Sequence, residues 1–196
     1  MDSPARSNNV DNIPPLVIMG VSGCGKSTIG ALLGAQLGVT FADGDDYHPS
    51  ANKLKMREGV PLTDDDRWPW LAEIGKALAG SAAGGPAIVA CSALKRTYRD
   101  FLRSYAPDAV FVHLTGSAGT ISERINARVH EYMPATLLAS QLETLEAPEA
   151  DERHISVAVN NSPDWIVGQV LEELGRQQLV REQLGDEQQD HRQLVR

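Results

Sequence analysis

Residues 15 to 38 read PLVIMGVSGCGKSTIGALLGAQLG. The first six form an apolar run that ends at Gly20, and residues 27–38 carry apolar side chains at three–four spacing and stop at Gly38. The first pattern predicts a buried strand and the second a helix with a glycine at its end. Between them GVSGCGKST, residues 20–28, fits the spacing G-x-x-x-x-G-K-[ST] at Gly20, Gly25, Lys26 and Ser27. A strand before and a helix after is the context that this spacing needs in order to cradle phosphate. Glycines let the backbone turn its N–H groups inward, and the helix adds the partial positive charge of its N-terminus. The cradle therefore comprises Gly20, Val21, Ser22, Gly23, Cys24, Gly25, Lys26, Ser27 and Thr28. Lys26 would reach the β- and γ-phosphates of a bound nucleotide, and the Ser27 hydroxyl would ligate Mg²⁺. Cys24 reads either as a small residue filling the turn or as a thiol made reactive by the helix N-terminus.

Outward from this stretch, short apolar runs at 39–43, 87–93, 109–116 and 154–162 alternate with helical patterns at about 66–79, 94–104, 117–128, 134–143 and 163–175. Strands apolar on both faces and separated by helices predict an α/β domain with a parallel sheet covered on both sides. The length of 196 residues suits one domain. We expect a disordered leader over 1–13, a phosphate-loop domain over 14–175 with a lid about 124–140, and a polar tail over 176–196, rich in Gln and charge, that is either a helical extension or disordered.

The net charge of −8 argues against nucleic acid as a partner, since that affinity depends on an excess of Lys and Arg. Two cysteines give no disulfide framework. The leader lacks the apolar stretch of a signal peptide, and no segment is long and apolar enough to span a bilayer. The expectation is a cytoplasmic protein with a small-molecule substrate and no membrane partner.

Nucleotide switches and motors place an acid at the end of a later apolar strand to hold the metal. Here AIVACSALKR (87–96) and AVFVHLTG (109–116) carry none, whereas FADGDDYHP (41–49) crowds Asp43, Asp45 and Asp46 after the second strand. Asp43 would approach the magnesium if the second strand neighbours the first. Asp45, two residues on, would point to the same side and accept a proton from a substrate hydroxyl. This arrangement suits a small-molecule or nucleotide kinase. Ligands of open α/β sheets bind beyond the carboxyl ends of the strands. That edge should gather His48, Lys53, Lys55, Arg57 and Arg67 after the second strand and Ser92, Lys95 and Arg96 after the third. Arg124 and Arg128 lie four apart on one helix face, placed to swing over the phosphates. Asp66 is expected to cap a helix begun by Trp68-Pro69-Trp70, with the tryptophans in the core.

Beyond the phosphate loop, DGDDYHP, then N-x-x-K-M-x-x-G-x-P-L-x-D-x-D-R-x-P-W-L, then CSALKRTYRDFLR and YMPATLLASQLETLEAP resemble the successive signatures of the small P-loop gluconokinases over residues 15–172. The resemblance implies the fold of nucleoside monophosphate kinases and shikimate kinase, with a five-stranded parallel sheet ordered 2-3-1-4-5, flanking helices and a mobile lid. It implies ATP-dependent phosphorylation of D-gluconate at its 6-hydroxyl, and a homodimer. By the same resemblance Asp43 and Asp45 are substrate carboxylates, Arg124 and Arg128 lid arginines, and Lys95, Arg96 and Arg67 candidates for gluconate's carboxylate. Many members resemble R-x-G-H-F-M-P where this chain reads RVHEYMP, so His130 and Glu131 depart from the pattern. The competing readings are a kinase of another hydroxy acid such as shikimate, a nucleotide kinase, and a nucleotide-binding regulator without catalysis.

Overall fold

The computed structural model describes residues 13–126 and 135–194. The first strand, β1 (Leu16–Met19), is buried along its whole length. Its side chains alternate between two cores, as a strand's period of two requires. Leu16 and Ile18 pack with Ile29 and Leu33 of helix α1 (Lys26–Leu37) and with Ile166 and Val170 of helix α7 (Pro163–Leu194). Val17 and Met19 face the other way, against Trp70, Leu71, Ile74 and Leu78 of α3 (Asp64–Ala79) and Tyr98 and Leu102 of α4 (Arg96–Tyr105). Both faces of the central strand are thus covered, which explains the unbroken apolar text of β1.

The remaining strands are β2 (Phe41–Asp43), β3 (Ile88–Ala90), β4 (Val110–Thr115) and β5 (His154–Ala158). Every pairing among them is parallel. Their order is β2-β3-β1-β4-β5, as the family resemblance implied. Helices α2 (Ser50–Arg57), α5 (Ala118–Asn126) and α6 (Ala135–Thr144) complete the regular elements beside two short 3₁₀ turns, Gly44–Tyr47 and Ser81–Ala83. No helix among the described residues is long and apolar enough to cross a membrane.

One expectation changes. Helix α3 begins at Asp64, four residues before Trp68, with Thr63 as its N-cap. Asp66 sits three residues inside and completes a capping box: its carboxylate accepts from the Thr63 N–H at 2.9 Å, and Thr63 Oγ1 accepts from the Asp66 N–H at 3.3 Å. Pro69 lies within this helix and costs it one backbone hydrogen bond. At the other end of the chain, α7 continues through the polar tail to Leu194, with Gln177 donating to the His154 carbonyl at 3.1 Å and Arg181 paired with Asp108 at 2.7 Å.

Candidate active site

At the carboxyl end of β1 the chain turns through Gly20 at φ 137°. A Cβ there would lie 2.9 Å from both the Leu114 carbonyl oxygen and Cys24 Sγ, so only glycine fits between β1 and β4. Gly25, at φ 103°, is the N-cap of α1 and directs that helix's N-terminus into the turn. Cys24 is buried in the core, which favours the reading as a small packing residue over that of an accessible thiol. The Lys26 ammonium donates to the Val21 carbonyl at 3.1 Å, folded across the loop it belongs to.

The sequence expected Asp43 to reach the metal by lying on a strand next to β1. That condition fails, because β3 stands between β1 and β2. The approach is made through the helix instead: Ser27 Oγ in the first turn of α1 donates to Asp43 Oδ2 at 2.6 Å. The other carboxylate oxygen, Oδ1, accepts from the Asp45 N–H at 3.1 Å and caps the 3₁₀ turn Gly44–Tyr47. Asp45 therefore belongs to that turn, not to a strand extension, so strand alternation does not set its direction. It still lines a cavity of about 360 Å³ together with Lys26, Ser27, Asp43, His48, Arg67 and Ser92.

His48 is buried in the wall of this cavity and stacks on Trp70, ring centroids 4.1 Å apart and planes 13° from parallel. Trp70 is fixed in turn by its indole N–H, which donates to the Gly44 carbonyl at 2.7 Å. Burial, reinforced by the charges of Lys53 and Arg67, lowers the His48 pKa to about 4, so the ring is neutral at ordinary pH. Its Nε2 stands 4.0 Å from Asp45 Oδ1.

Arg67 lines the cavity and lies 3.5 Å from Asp64, whose carboxylate also accepts from Lys95 at 2.7 and 2.9 Å and from the Tyr98 hydroxyl at 2.5 Å. The Lys95 and Tyr98 hydrogen bonds hold the Asp64 carboxyl below its ordinary range. Two cations on one anion leave this corner net positive, which suits an anionic group of a substrate. Lys95 itself does not line the cavity, and the other predicted cations sit further out. Lys53 donates to the Asp46 carbonyl at 3.2 Å, Lys55 pairs with Asp66 at 2.7 Å, and Arg57 is exposed at the end of α2. Arg96 is not brought to the cavity. Asp151 engages it through two nitrogens at 2.7 and 2.9 Å, with Glu149 at 3.0 Å, so local carboxylates hold its guanidinium at the far end of the loop. Arg124 donates to the Val159 carbonyl, and a Cβ on Gly25 would be 3.8 Å from its Nη1, which places the guanidinium beside the phosphate loop. Arg128, His130 and Glu131 lie outside the described residues.

Two contacts had no counterpart among the predicted roles. Gln141 on α6 grips the phosphate loop with both ends of its amide, accepting from the Ser22 N–H at 2.7 Å and donating to Ser22 Oγ at 3.2 Å. Arg99, wholly buried on α4, pairs bidentately with buried Glu152 at 2.7 Å and also donates to the carbonyls of Ala93, Leu94 and Glu146. The quoted segments LL-x-SQ and YRD contained these residues, but spacing alone named no partner for them.

Does the donor set fit a magnesium–nucleotide pair? Among the described residues no cluster of three His, Cys, Asp or Glu forms a protein cage for a metal. A hydroxyl and one carboxylate at 2.6 Å beside a glycine-rich helix N-terminus is nevertheless the kind of sparse oxygen set that suits Mg²⁺, which keeps waters and phosphate oxygens as its other ligands. The residues fit.

A central parallel sheet, a phosphate loop after its first strand and acids beyond its second define a P-loop kinase, and a family model described as shikimate kinase matches residues 22–175. The Gluconobacter oxydans gluconokinase is 48% identical, covering 80% of this chain and 88% of its own length, and a probable gluconokinase of Xenopus tropicalis is 42% identical over 84% and 95%. The crystal structure of a gluconokinase from Sinorhizobium meliloti superposes with a TM-score of 0.80 at 46% identity, covering 87% of this chain and 97% of that one. The chain belongs to the gluconokinase family.

Proposed function

We propose that this protein transfers the terminal phosphoryl group of ATP to the 6-hydroxyl of D-gluconate, as a cytoplasmic homodimer. The observation that carries the reading is the Ser27–Asp43 contact of 2.6 Å, which ties the phosphate loop to the acids of the substrate side. Ser27 and Asp43 would hold Mg²⁺, which neutralises phosphate charge when bound. The loop amides and Lys26 bind the triphosphate. Asp45 accepts the hydroxyl proton as the substrate oxygen bonds to the γ-phosphorus and the bond to the ADP oxygen breaks. Lys26 and Arg124, joined by Arg128, stabilise charge on the transferring group. Arg67 and Lys95, left with surplus positive charge around Asp64, attract the sugar acid's carboxylate.

A coupled assay of ADP release against gluconate, shikimate and nucleoside monophosphates tests this. Release that depends on gluconate and on neither of the others is expected. Turnover with shikimate or a nucleotide instead would reassign the substrate. ATP binding with no acceptor-dependent release would leave a regulator.

A further inference from the structure

Asn52 belongs to none of the roles assigned so far, yet it is buried at 4% exposure next to the substrate wall. Its orientation is unambiguous. The atom 2.7 Å from the Asp66 carbonyl oxygen must be the amide nitrogen, because a carbonyl oxygen only accepts. That same nitrogen carries a second hydrogen and stands 3.4 Å from His48 Nδ1. A donor facing Nδ1 requires that Nδ1 be the bare, accepting nitrogen of the ring. In a neutral imidazole the one proton then resides on Nε2. Nε2 is the nitrogen on the Asp45 side, 4.0 Å from Oδ1, a gap too long for a direct hydrogen bond. A polyol hydroxyl lying off the line between them, at about 2.8 Å from each, would bridge the two.

We infer that Asn52 is a positioning residue that fixes His48 as its Nε2–H tautomer, so that the imidazole offers the substrate a neutral hydrogen-bond donor beside Asp45. The surrounding residues hold this arrangement. Trp70 sets the plane of the ring by stacking at 4.1 Å. The Asp66 carbonyl sets the amide, and the Thr63–Asp66 capping box with Lys55 sets Asp66. Burial together with Lys53 and Arg67 keeps the ring uncharged, so the two ring nitrogens stay different. The consequence is selectivity for an acceptor oxygen. A ligand with a methylene where the sugar acid has a hydroxyl would leave the buried Nε2–H unpaired, and a site built for hydroxyls rejects such analogues strongly.

The role in binding rests on the proposed gluconate reaction, whereas the tautomer does not, and the test separates the two. Nitrogen NMR of the full-length, ¹⁵N-histidine-labelled protein without substrate, assigned with His48→Gln, should show His48 protonated at Nε2 and bare at Nδ1. Protonation at Nδ1, or at both nitrogens, at neutral pH overturns the proposal whatever the enzyme phosphorylates. In Asn52→Asp the carboxylate accepts from the ring and puts a proton on Nδ1; at a pH above the ring's raised pKa, read from the same spectra, that is the ring's single proton. The KM for gluconate should then rise about tenfold while that for ATP stays within about twofold, the loss of one hydrogen bond. His48→Gln, which restores a neutral N–H donor without needing Asn52, should keep the KM within about threefold of the parent, and His48→Phe should not. An unchanged gluconate KM in Asn52→Asp with a reversed tautomer also overturns the role. Should Asn52→Asp fail to fold, the parent spectrum and the His48 pair still decide.

Discussion

The loop after β1 and the loop after β3 leave neighbouring parallel strands and line the same cavity, yet their shapes have different origins. The first bends through glycines at positive φ, among them Gly20 and Gly25. The second bends through Ala93 at φ 43°, a left-handed conformation that costs a residue with a Cβ about 1–2 kcal/mol. What holds it is a side chain from elsewhere: Arg99 donates to the Ala93 and Leu94 carbonyls at 3.2 and 3.3 Å, and Glu152 neutralises Arg99. Arg103 adds a third hydrogen bond to the Glu152 carboxylate at 2.9 Å. One loop is therefore specified by its own residues, and the other by an ion pair that reaches across from the loop before β5. The lesson concerns separability. Function in the first loop should be removable without loss of fold, while damage to the second should spread.

The largest effect is expected from Lys26→Ala. Among the described residues its ammonium hydrogen-bonds to the Val21 carbonyl alone. Turnover should fall by roughly 10³ through lost charge stabilisation, with the thermal midpoint nearly unmoved. Near-normal turnover would break the assignment of the cradle, and a large loss of stability would break the comparison.

Arg99→Leu should do the reverse, destabilising the protein by about 3–5 kcal/mol because it removes the bidentate partner of buried Glu152 and leaves Arg103 as the cation beside that charge. Denaturant unfolding measures this. The double replacement Arg99→Leu with Glu152→Leu should recover part of that loss, since no buried charge is then left alone. Should the double variant be no better than the single one, the carbonyl contacts of Arg99 rather than the pairing would be what shapes the loop.

The smallest expected effect is on acid sensitivity. Burial raises the Glu152 pKa, but the hydrogen bonds from Arg99, the Glu149 N–H and Arg103 outweigh it and hold the group at about 2, below its ordinary 4.5. Its contribution is complete above pH 4.5 and is lost as pH falls toward 2. His48 and His113 are each lowered mainly by burial from 6.5 to about 4. The unfolded chain takes up those protons first, so their contribution is present above pH 6.5 and is lost between 6.5 and 4. Thermal midpoints should therefore begin to drop below pH 6.5, in the range of the two histidines, and Arg99→Leu should lose the further drop below pH 4.5. A midpoint flat from pH 7 down to 4.5 would contradict the burial of both rings.

This contrast also explains which parts of the molecule the sequence revealed. The phosphate loop is a local motif, and β1 is a run with no polar residue, so both read directly. Residue order carried the acids Asp43 and Asp45 to the sheet edge where both line the cavity, yet it misjudged the route. Ser27 at the start of α1 bonds directly to Asp43 at the end of β2, a path that strand adjacency did not suggest. The start of α3 was hidden because Pro69 reads as a first-turn residue, whereas the Thr63–Asp66 box is the stronger signal. Arg96 has the composition of a substrate cation, and only the fold shows Asp151 and Glu149 beside it. Arg99–Glu152 and Gln141–Ser22 are separated by 53 and 119 positions, and no periodicity links residues so far apart.

The grip of Gln141 on Ser22 has a consequence for the order in which the molecule is assembled. On a ribosome the glycine turn is made early, but its partner emerges only after most of the domain has been synthesised. The nascent nucleotide site must wait, half-built, for α6 to arrive, and such distant closures are the slow steps of folding. Competence to hold a triphosphate should thus be a late acquisition, gained when the C-terminal half docks and not when the motif itself is complete.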